Sequence, residues 1–226
     1  MSHPAWPSPN WDERPGDGCV DMLVLHYTGM PSAAAARARL CDPAARVSAH
    51  YLIDEDGRIE PLVGERKRAW HAGISHWAGR SGLNDVSIGI ELVNPGHDGG
   101  YRPFPEAQID ACLTLCHSIL ARWPIPKHRV VAHSDIAPNR KIDPGELFPF
   151  AHLAAEGVGL WPEAAAIPDG FQPVVALRQL GYATDVYALA DIVAAFQRHW
   201  CPDALGSGLC PSTLAALAGL VVQLER

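Results

Sequence analysis

Residues 19–26 read CVDMLVLH. This apolar run suits a buried strand, and it stops on a histidine. Two later stretches have the same character. VSIGIELVN (86–94) is a strand with a glutamate inside it, and RVVAHS (129–134) is a final strand that again runs into a histidine. AHYLIDEDGRIEPLV (49–63) reads as strand, turn, strand, with Asp56-Gly57 at the turn. Between these lie helical patterns. AAAARARLCD (33–42) has helical composition and is stopped by Pro43. Pro105 opens a helix whose Ile109, Cys112, Leu113, Cys116, Ile119, Leu120 and Trp123 recur at the three-and-four spacing of one buried face. Strands alternating with helices predict an α/β domain with its sheet covered by helices.

Outward from this frame the chain changes texture. Residues 1–18, rich in Pro, Trp, Asn and Asp, predict an extended arm. Residues 64–84 hold many Gly, Trp and His and little periodicity, and predict a long surface loop. WPEAAAIPDGFQP (161–173) is punctuated by three prolines. That places a linker at 161–172, after a catalytic domain over 19–160. Three short helical patterns follow, at 173–180, about 186–199 and 211–225, making a small all-α C-terminal module over 173–226. A segment of roughly 55 residues folds alone only marginally. It therefore docks on the first domain or forms a compact helical unit.

With 226 residues, 48% hydrophobic and 19% charged, the chain can build a full-size core. A net charge of −7 without any Lys/Arg run excludes the footprint of a nucleic-acid binder. No stretch approaches the roughly 20 apolar residues of a membrane span, and nothing calls for an obligate protein partner. MSHPAWPSPNWDERPG lacks a basic start followed by an apolar segment, so no secretory signal is read, and the expected location is the cytoplasm. A signal trimmed upstream would instead place the protein in the periplasm or at the outer membrane. Six cysteines without a C-x-x-C pair point to reduced, buried thiols rather than a zinc ribbon or thioredoxin-type site.

Among eleven histidines, His26 and His133 stand apart because each terminates an apolar strand, where ligands gather in open α/β sheets. Asp143 follows His133 at loop distance. Two imidazoles and a carboxylate form a common catalytic zinc set with a fourth position left for water. Spacing alone leaves this open. His3, His97, His117, His128, His152 and His199 gain nothing from their surroundings.

VLHYTG (24–29), VSAHYLIDEDGRI (47–59), RAWHAGISHWAGR (68–80), NDVSIGIELVN (84–94) and VVAHSDIAPNRKIDPGELFPF (130–150) occur in one order across nearly all of residues 20–160. In these stretches the chain resembles the zinc-dependent N-acetylmuramoyl-L-alanine amidases of the AmpD/AmiD type, the bacterial amidase-2 family. The resemblance implies a mixed central β-sheet flanked by helices and one zinc ion per chain. It also implies hydrolysis of the amide joining the lactyl group of N-acetylmuramic acid, or its 1,6-anhydro form, to L-alanine in peptidoglycan or muropeptides. The family's metal ligands fall on His26, His133 and Asp143, its lysine on Lys141 and its strand glutamate on Glu91. Phage relatives and the animal peptidoglycan recognition proteins carry a tyrosine just before the histidine of the second motif, where this chain has Ala49. In the AmpD/AmiD group Glu91 is expected to fill that role. LRQLGY (177–182) and AAFQRHW (194–200) resemble a small helical peptidoglycan-binding module.

These residue types suit amide hydrolysis. Glu91 can take a proton from water and pass it to the leaving amine, and Lys141 places a fixed positive charge near developing negative charge. Alternation along 86–94 sets Glu91 opposite Ile88, Ile90 and Leu92, toward a polar cleft. Trp70, His71 and Trp77 are candidates to wall the substrate groove, and Arg80 and Asn94 to bind substrate carboxylate or amide groups. His50 is expected to act behind the ligands. Two other readings use the same residues. One is a binding protein that recognises muropeptides without cutting, which commonly loses a ligand that this chain keeps. The other is a metallopeptidase cutting inside the stem peptide.

Overall fold

A computed structural model describes residues 7–163 and 165–225. The elements run β1 (Trp11–Glu13), β2 (Met22–Tyr27), α1 (Ala33–Cys41), β3 (Tyr51–Ile53), β4 (Ile59–Pro61), β5 (Lys67–Ala69), β6 (His76–Trp77), β7 (Arg80–Ser81) and β8 (Ser87–Leu92). They continue with α2 (Gly96–Gly99), α3 (Glu106–Arg122), β9 (Val130–Ala132), α4 (His133–Ile136), α5 (Phe150–Ala155), α6 (Pro173–Leu180), α7 (Leu189–Trp200) and α8 (Pro211–Leu224). The central sheet has the order β4-β3-β8-β2-β9. Its β3/β4 hairpin is antiparallel and its other pairings are parallel. The sheet is therefore mixed and flanked by helices, as the motifs imply.

The two faces of the sheet have different covers. Leu23, Leu25, Ile88, Ile90, Leu92, Val130 and Ala132 pack with Ile109, Cys112, Leu113, Cys116 and Ile119 of α3. Each such fully buried aliphatic side chain contributes about 1.5–3 kcal/mol. The α3 stripe is the face its periodicity predicts. Gln108 adds a polar tie, its Nε2 donating to the carbonyls of Ile53 and Val93 at 3.0 Å each. On the other face Met22, Val24 and Val131 share one apolar cluster with Leu177, Leu180, Tyr182, Phe196, Trp200, Leu217 and Leu220. The C-terminal helices thus complete the core of the sheet rather than hanging beyond it.

The structure departs locally from the sequence reading in three places. The third apolar run ends as strand at Ala132, and His133 opens the short helix α4. Residues 64–84 are not structureless: Lys67–Ala69 pairs antiparallel with Trp11–Glu13 of the arm, and β6 pairs with β7. Arg14 explains why the arm adheres. Its guanidinium is buried and donates to the carbonyls of Glu65, Asn84, Asp85 and Ser87, and burial pulls its pKa down to about 10. The part of the arm over residues 1–6 lies outside the described residues. Of the six cysteines, all free, only Cys112 and Cys116 are buried, and Cys19 is exposed.

Candidate active site

Strand register builds the site. His26 pairs with Glu91 on β8, and Leu25 pairs with Ala132 at the end of β9, directly before His133. Neighbouring parallel strands point paired residues to the same face, so His26 and Glu91 emerge side by side and His133 joins them from α4. Asp143 arrives on the loop after α4, where its carbonyl accepts the Ser134 N–H at 3.0 Å and its peptide to Pro144 is cis. Gly145 then turns at φ 86°, where a Cβ would collide with the Tyr101 hydroxyl.

His26 Nδ1, His133 Nδ1 and Asp143 Oδ2 lie 2.9, 3.1 and 3.0 Å apart, and all three residues are buried. The protons on these groups follow from what lies behind them. His133 Nε2 faces the Ala72 carbonyl at 3.2 Å and must carry the hydrogen, which leaves Nδ1 bare. Ser87 Oγ donates to the Leu83 carbonyl at 2.7 Å and accepts from His71 Nε2 at 3.1 Å. His71 Nδ1 therefore accepts from His26 Nε2 at 3.1 Å, and His26 Nδ1 is bare as well. Two imidazole lone pairs and a carboxylate oxygen thus converge with no proton between them, an arrangement that repels itself unless a cation sits there. These three residues could hold a metal ion. Their donor set suits a divalent ion, and their separations are a few tenths below the roughly 3.3 Å edge of a tetrahedron on zinc-length bonds.

Burial and the neighbouring His133 depress the His26 pKa to about 4, which keeps the ring neutral at pH 7. Burial opposes ionisation of Asp143, and only positive charge facing it, on the His133 and His26 rings or on a cation held between them, keeps the carboxyl below its usual range. Glu91 goes the other way. Burial and the Asp143 carboxylate raise its pKa well above the ordinary value, against the pull of Lys141. Its Oε2 is covered and has no hydrogen-bond partner among the described residues. Glu91 and Lys141 line one cleft of about 170 Å³ with His133, Asp143, Trp70 and Tyr27. An adjoining groove of about 510 Å³ is walled by Arg46, Arg68, Arg140, Lys141 and Trp70, with Asp12 as its carboxylate.

The remaining sequence-derived candidates divide. Trp70 lines both clefts, with its Nε1 donating to Asp12 at 2.7 Å. His71 borders them but is only 8% exposed, and both ring nitrogens are spent on His26 and Ser87, so it stands behind His26 with no polar ring atom left for substrate. Trp77 is fully buried, edge-on to Tyr182 beneath the C-terminal helices, and cannot touch substrate. Asn94 is buried too, its amide donating to the Arg102 carbonyl at 2.8 Å and its oxygen accepting the Gly96 N–H at 3.1 Å, so it shapes its own loop. Arg80 is exposed on β7 and lines neither cleft. His50, fully buried, accepts the Gly89 N–H on Nδ1 and sits behind His71 at 5.6 Å between ring centroids. Ser87 and Gly89 were not singled out from sequence. Their signal is the small-residue column Ser87-x-Gly89-x-Glu91, in which a Cβ on Gly89 would collide with the His71 ring.

Known proteins resemble this chain in sequence and in fold. The sequence matches the Amidase_2 family, N-acetylmuramoyl-L-alanine amidase, over residues 16–146. It is 45% identical over 160 residues to the N-acetylmuramoyl-L-alanine amidase AmiD of Escherichia coli, covering 66% of this chain and 57% of AmiD. It is 38% identical over 159 residues to the 1,6-anhydro-N-acetylmuramyl-L-alanine amidase AmpD of Haemophilus influenzae, covering 62% of this chain and 84% of AmpD. The solved structure of AmpDh3 from Pseudomonas aeruginosa superposes with a TM-score of 0.83 at 34% identity over all of both chains. That of E. coli AmiD, in complex with the substrate anhydro-N-acetylmuramic acid-L-Ala-D-gamma-Glu-L-Lys, gives 0.80 at 35%, over 99% of this chain and 92% of that one. Fold and site define an α/β amidase with a buried His-His-Asp donor set. The chain belongs to the N-acetylmuramoyl-L-alanine amidase family, among homologues of AmiD and AmpD. The stretch aligned to AmiD spans little more than half of that protein's length.

Proposed function

We propose that this protein is a zinc-dependent amidase that cleaves the bond between the lactyl carbonyl of N-acetylmuramic acid, or its 1,6-anhydro form, and L-alanine. The observation that carries this reading is the convergence of three unprotonated donor atoms beside Glu91 and Lys141 in one cleft. Zinc held by His26, His133 and Asp143 would supply Lewis acidity and an acidified water. The other tasks fall to the chain. Glu91, whose covered oxygen has no partner among the described residues, accepts the proton of the attacking water and returns it to the amine nitrogen as the C–N bond breaks. Burial first and the Asp143 carboxylate second raise the Glu91 pKa; with a cation held by the donor set the second of these would be offset, which would favour Glu91 as a base. Lys141 makes no ion pair among the described residues, so its ammonium is free to face the negative charge that develops on the carbonyl oxygen.

The cationic groove beside the cleft supports an anionic substrate. Arg46, Arg140 and Lys141 suit the carboxylates of a stem peptide, and Trp70 at the junction offers a flat apolar surface. AmiD has been captured with an anhydro-muropeptide, and on that ground we assign this class of substrate here. Among the described residues no helix is long and apolar enough to cross a membrane. The helices over 173–226 are proposed to contact peptidoglycan as well as to pack on the sheet. The test is incubation of zinc-loaded protein with a soluble anhydro-muropeptide, followed by mass spectrometry. Release of a peptide beginning with L-alanine is expected. No cleavage would favour a binding protein, and a new amine inside the stem would favour a peptidase.

A further inference from the structure

Two C-terminal side chains, one of them braced by a third, converge on one buried carboxylate close to His133. Asp135 lies two residues after His133 on α4, and its side chain is fully buried. Its Oδ2 accepts the Ala132 N–H at 2.8 Å and His199 Nδ1 at 2.6 Å, and its Oδ1 accepts the Tyr182 hydroxyl at 2.5 Å. Trp200 Nε1 donates in turn to the Tyr182 oxygen at 3.3 Å. The His199 ring is fixed from both sides, stacked on Trp200 at 3.5 Å between centroids and tilted against Phe150 at 3.7 Å. The same segment grips the site's surroundings twice more. The Tyr187 hydroxyl reaches the Ile136 carbonyl at 3.3 Å, and the Gly181 carbonyl accepts the Ala78 N–H at 2.7 Å on the loop that supplies Ala72 behind His133.

We propose that the C-terminal helical segment is a positioning element of the metal site, acting through Asp135 to hold the α4 turn that carries His133. The inference rests on the metal-binding reading above. An apolar contact would suffice merely to dock a module. Burying a carboxylate instead demands complete pairing, because an unpaired one is expensive. Two of the three hydrogen bonds that pair it come from residues at least 47 positions away. The pairing is directional and fixes the orientation of α4. That helix also holds the backbone of the other ligand through Ser134 N–H to the Asp143 carbonyl. Tyr182 and His199 touch no reacting atom and are positioning residues.

Zinc affinity, measured by competition with a chromophoric chelator, and the visible spectrum of the cobalt-loaded protein test this without reference to any substrate. Tyr182→Phe and His199→Ala are expected to weaken zinc binding about 10-fold, as loss of an outer partner does, and to shift the cobalt bands. His199→Gln, which keeps a donor, should restore part of both. Val193→Ala, in the same core but away from Asp135, should lower the melting temperature and leave affinity and spectrum unchanged. Native affinity and spectrum in Tyr182→Phe would overturn the proposal even if His199→Ala fails to fold. It would also fall if Val193→Ala weakened zinc as much, since the segment would then act only through general stability. Absence of zinc binding in the unaltered protein would overturn the metal reading itself, and this inference with it.

Discussion

Strand β8 carries two chemistries on its two faces. Toward α3 it presents Ile88, Ile90 and Leu92, all fully buried in an apolar cluster. Toward the site it presents Ser87, Gly89 and Glu91: a hydroxyl that orients His71, a gap that admits the His71 ring, and a carboxylate beside His26. β2 repeats the division, with Leu23 and Leu25 on one side and Met22, Val24 and His26 on the other. The apolar face is held by area and tolerates rearrangement of similar volumes. The polar face is held by specific hydrogen bonds, each with one correct donor and acceptor, so small changes there act on chemistry before they act on folding.

Substitutions on the two faces should separate these effects. His133→Ala should abolish metal binding and bring turnover to background, as seen by metal analysis and kcat on a muropeptide. A variant retaining both would remove this donor set from the mechanism. Glu91→Gln should keep the metal and lose about 10²–10⁴-fold in kcat, because it removes the proton acceptor without disturbing the ligands. Ile90→Ala, its chain neighbour on the opposite face, should do the reverse. Unfolding free energy should fall by about 2–5 kcal/mol, with kcat per folded molecule unchanged. Gly89→Ala should displace His71, weakening zinc about 10-fold and costing about 1–3 kcal/mol of stability from overpacking. Equal metal affinity in that variant would mean that His71 does not hold His26.

The smallest effect concerns acid. His50 is buried and neutral, and burial with the nearby Arg14 lowers its pKa from 6.5 to about 3. The unfolded chain therefore binds this proton more readily. The stabilisation from keeping His50 neutral is complete above pH 6.5 and is lost as pH falls toward 3. At pH 5 the loss from this one group is about 2 kcal/mol. Urea titrations at pH 7 and pH 5 should show a shallower decline in His50→Gln, and an identical decline would assign the acid sensitivity elsewhere.

How much of this was legible in the linear chain depends on what each residue's neighbours encode. The runs at 19–25, 86–94 and 129–132, the helix after Pro105 and the three C-terminal helices were readable because periodicity and punctuation are local properties. His26, Glu91 and His133 drew attention because each ends or interrupts an apolar strand, Asp143 because it follows His133 at loop distance, and the family motifs then gave these residues and Lys141 their roles. Covalent order could not show which aromatic and amide groups of the loops would stay exposed. Trp77 lies in a glycine-rich loop that reads as surface, yet residues about a hundred positions later cover it. Asn94 reads as a substrate ligand, yet its hydrogen bonds are consumed within eight residues of chain. The tautomers of His26 and His133 belong to the folded state alone, because they are set by Ser87, Leu83 and Ala72 through contacts that exist only once strand, loop and turn have met. The same holds for Asp135, whose neighbours in the chain are ordinary and whose partners arrive from the far end of the molecule. Burial and hydrogen-bond pairing are decided by distance in space, which the order of residues constrains only through the completed fold.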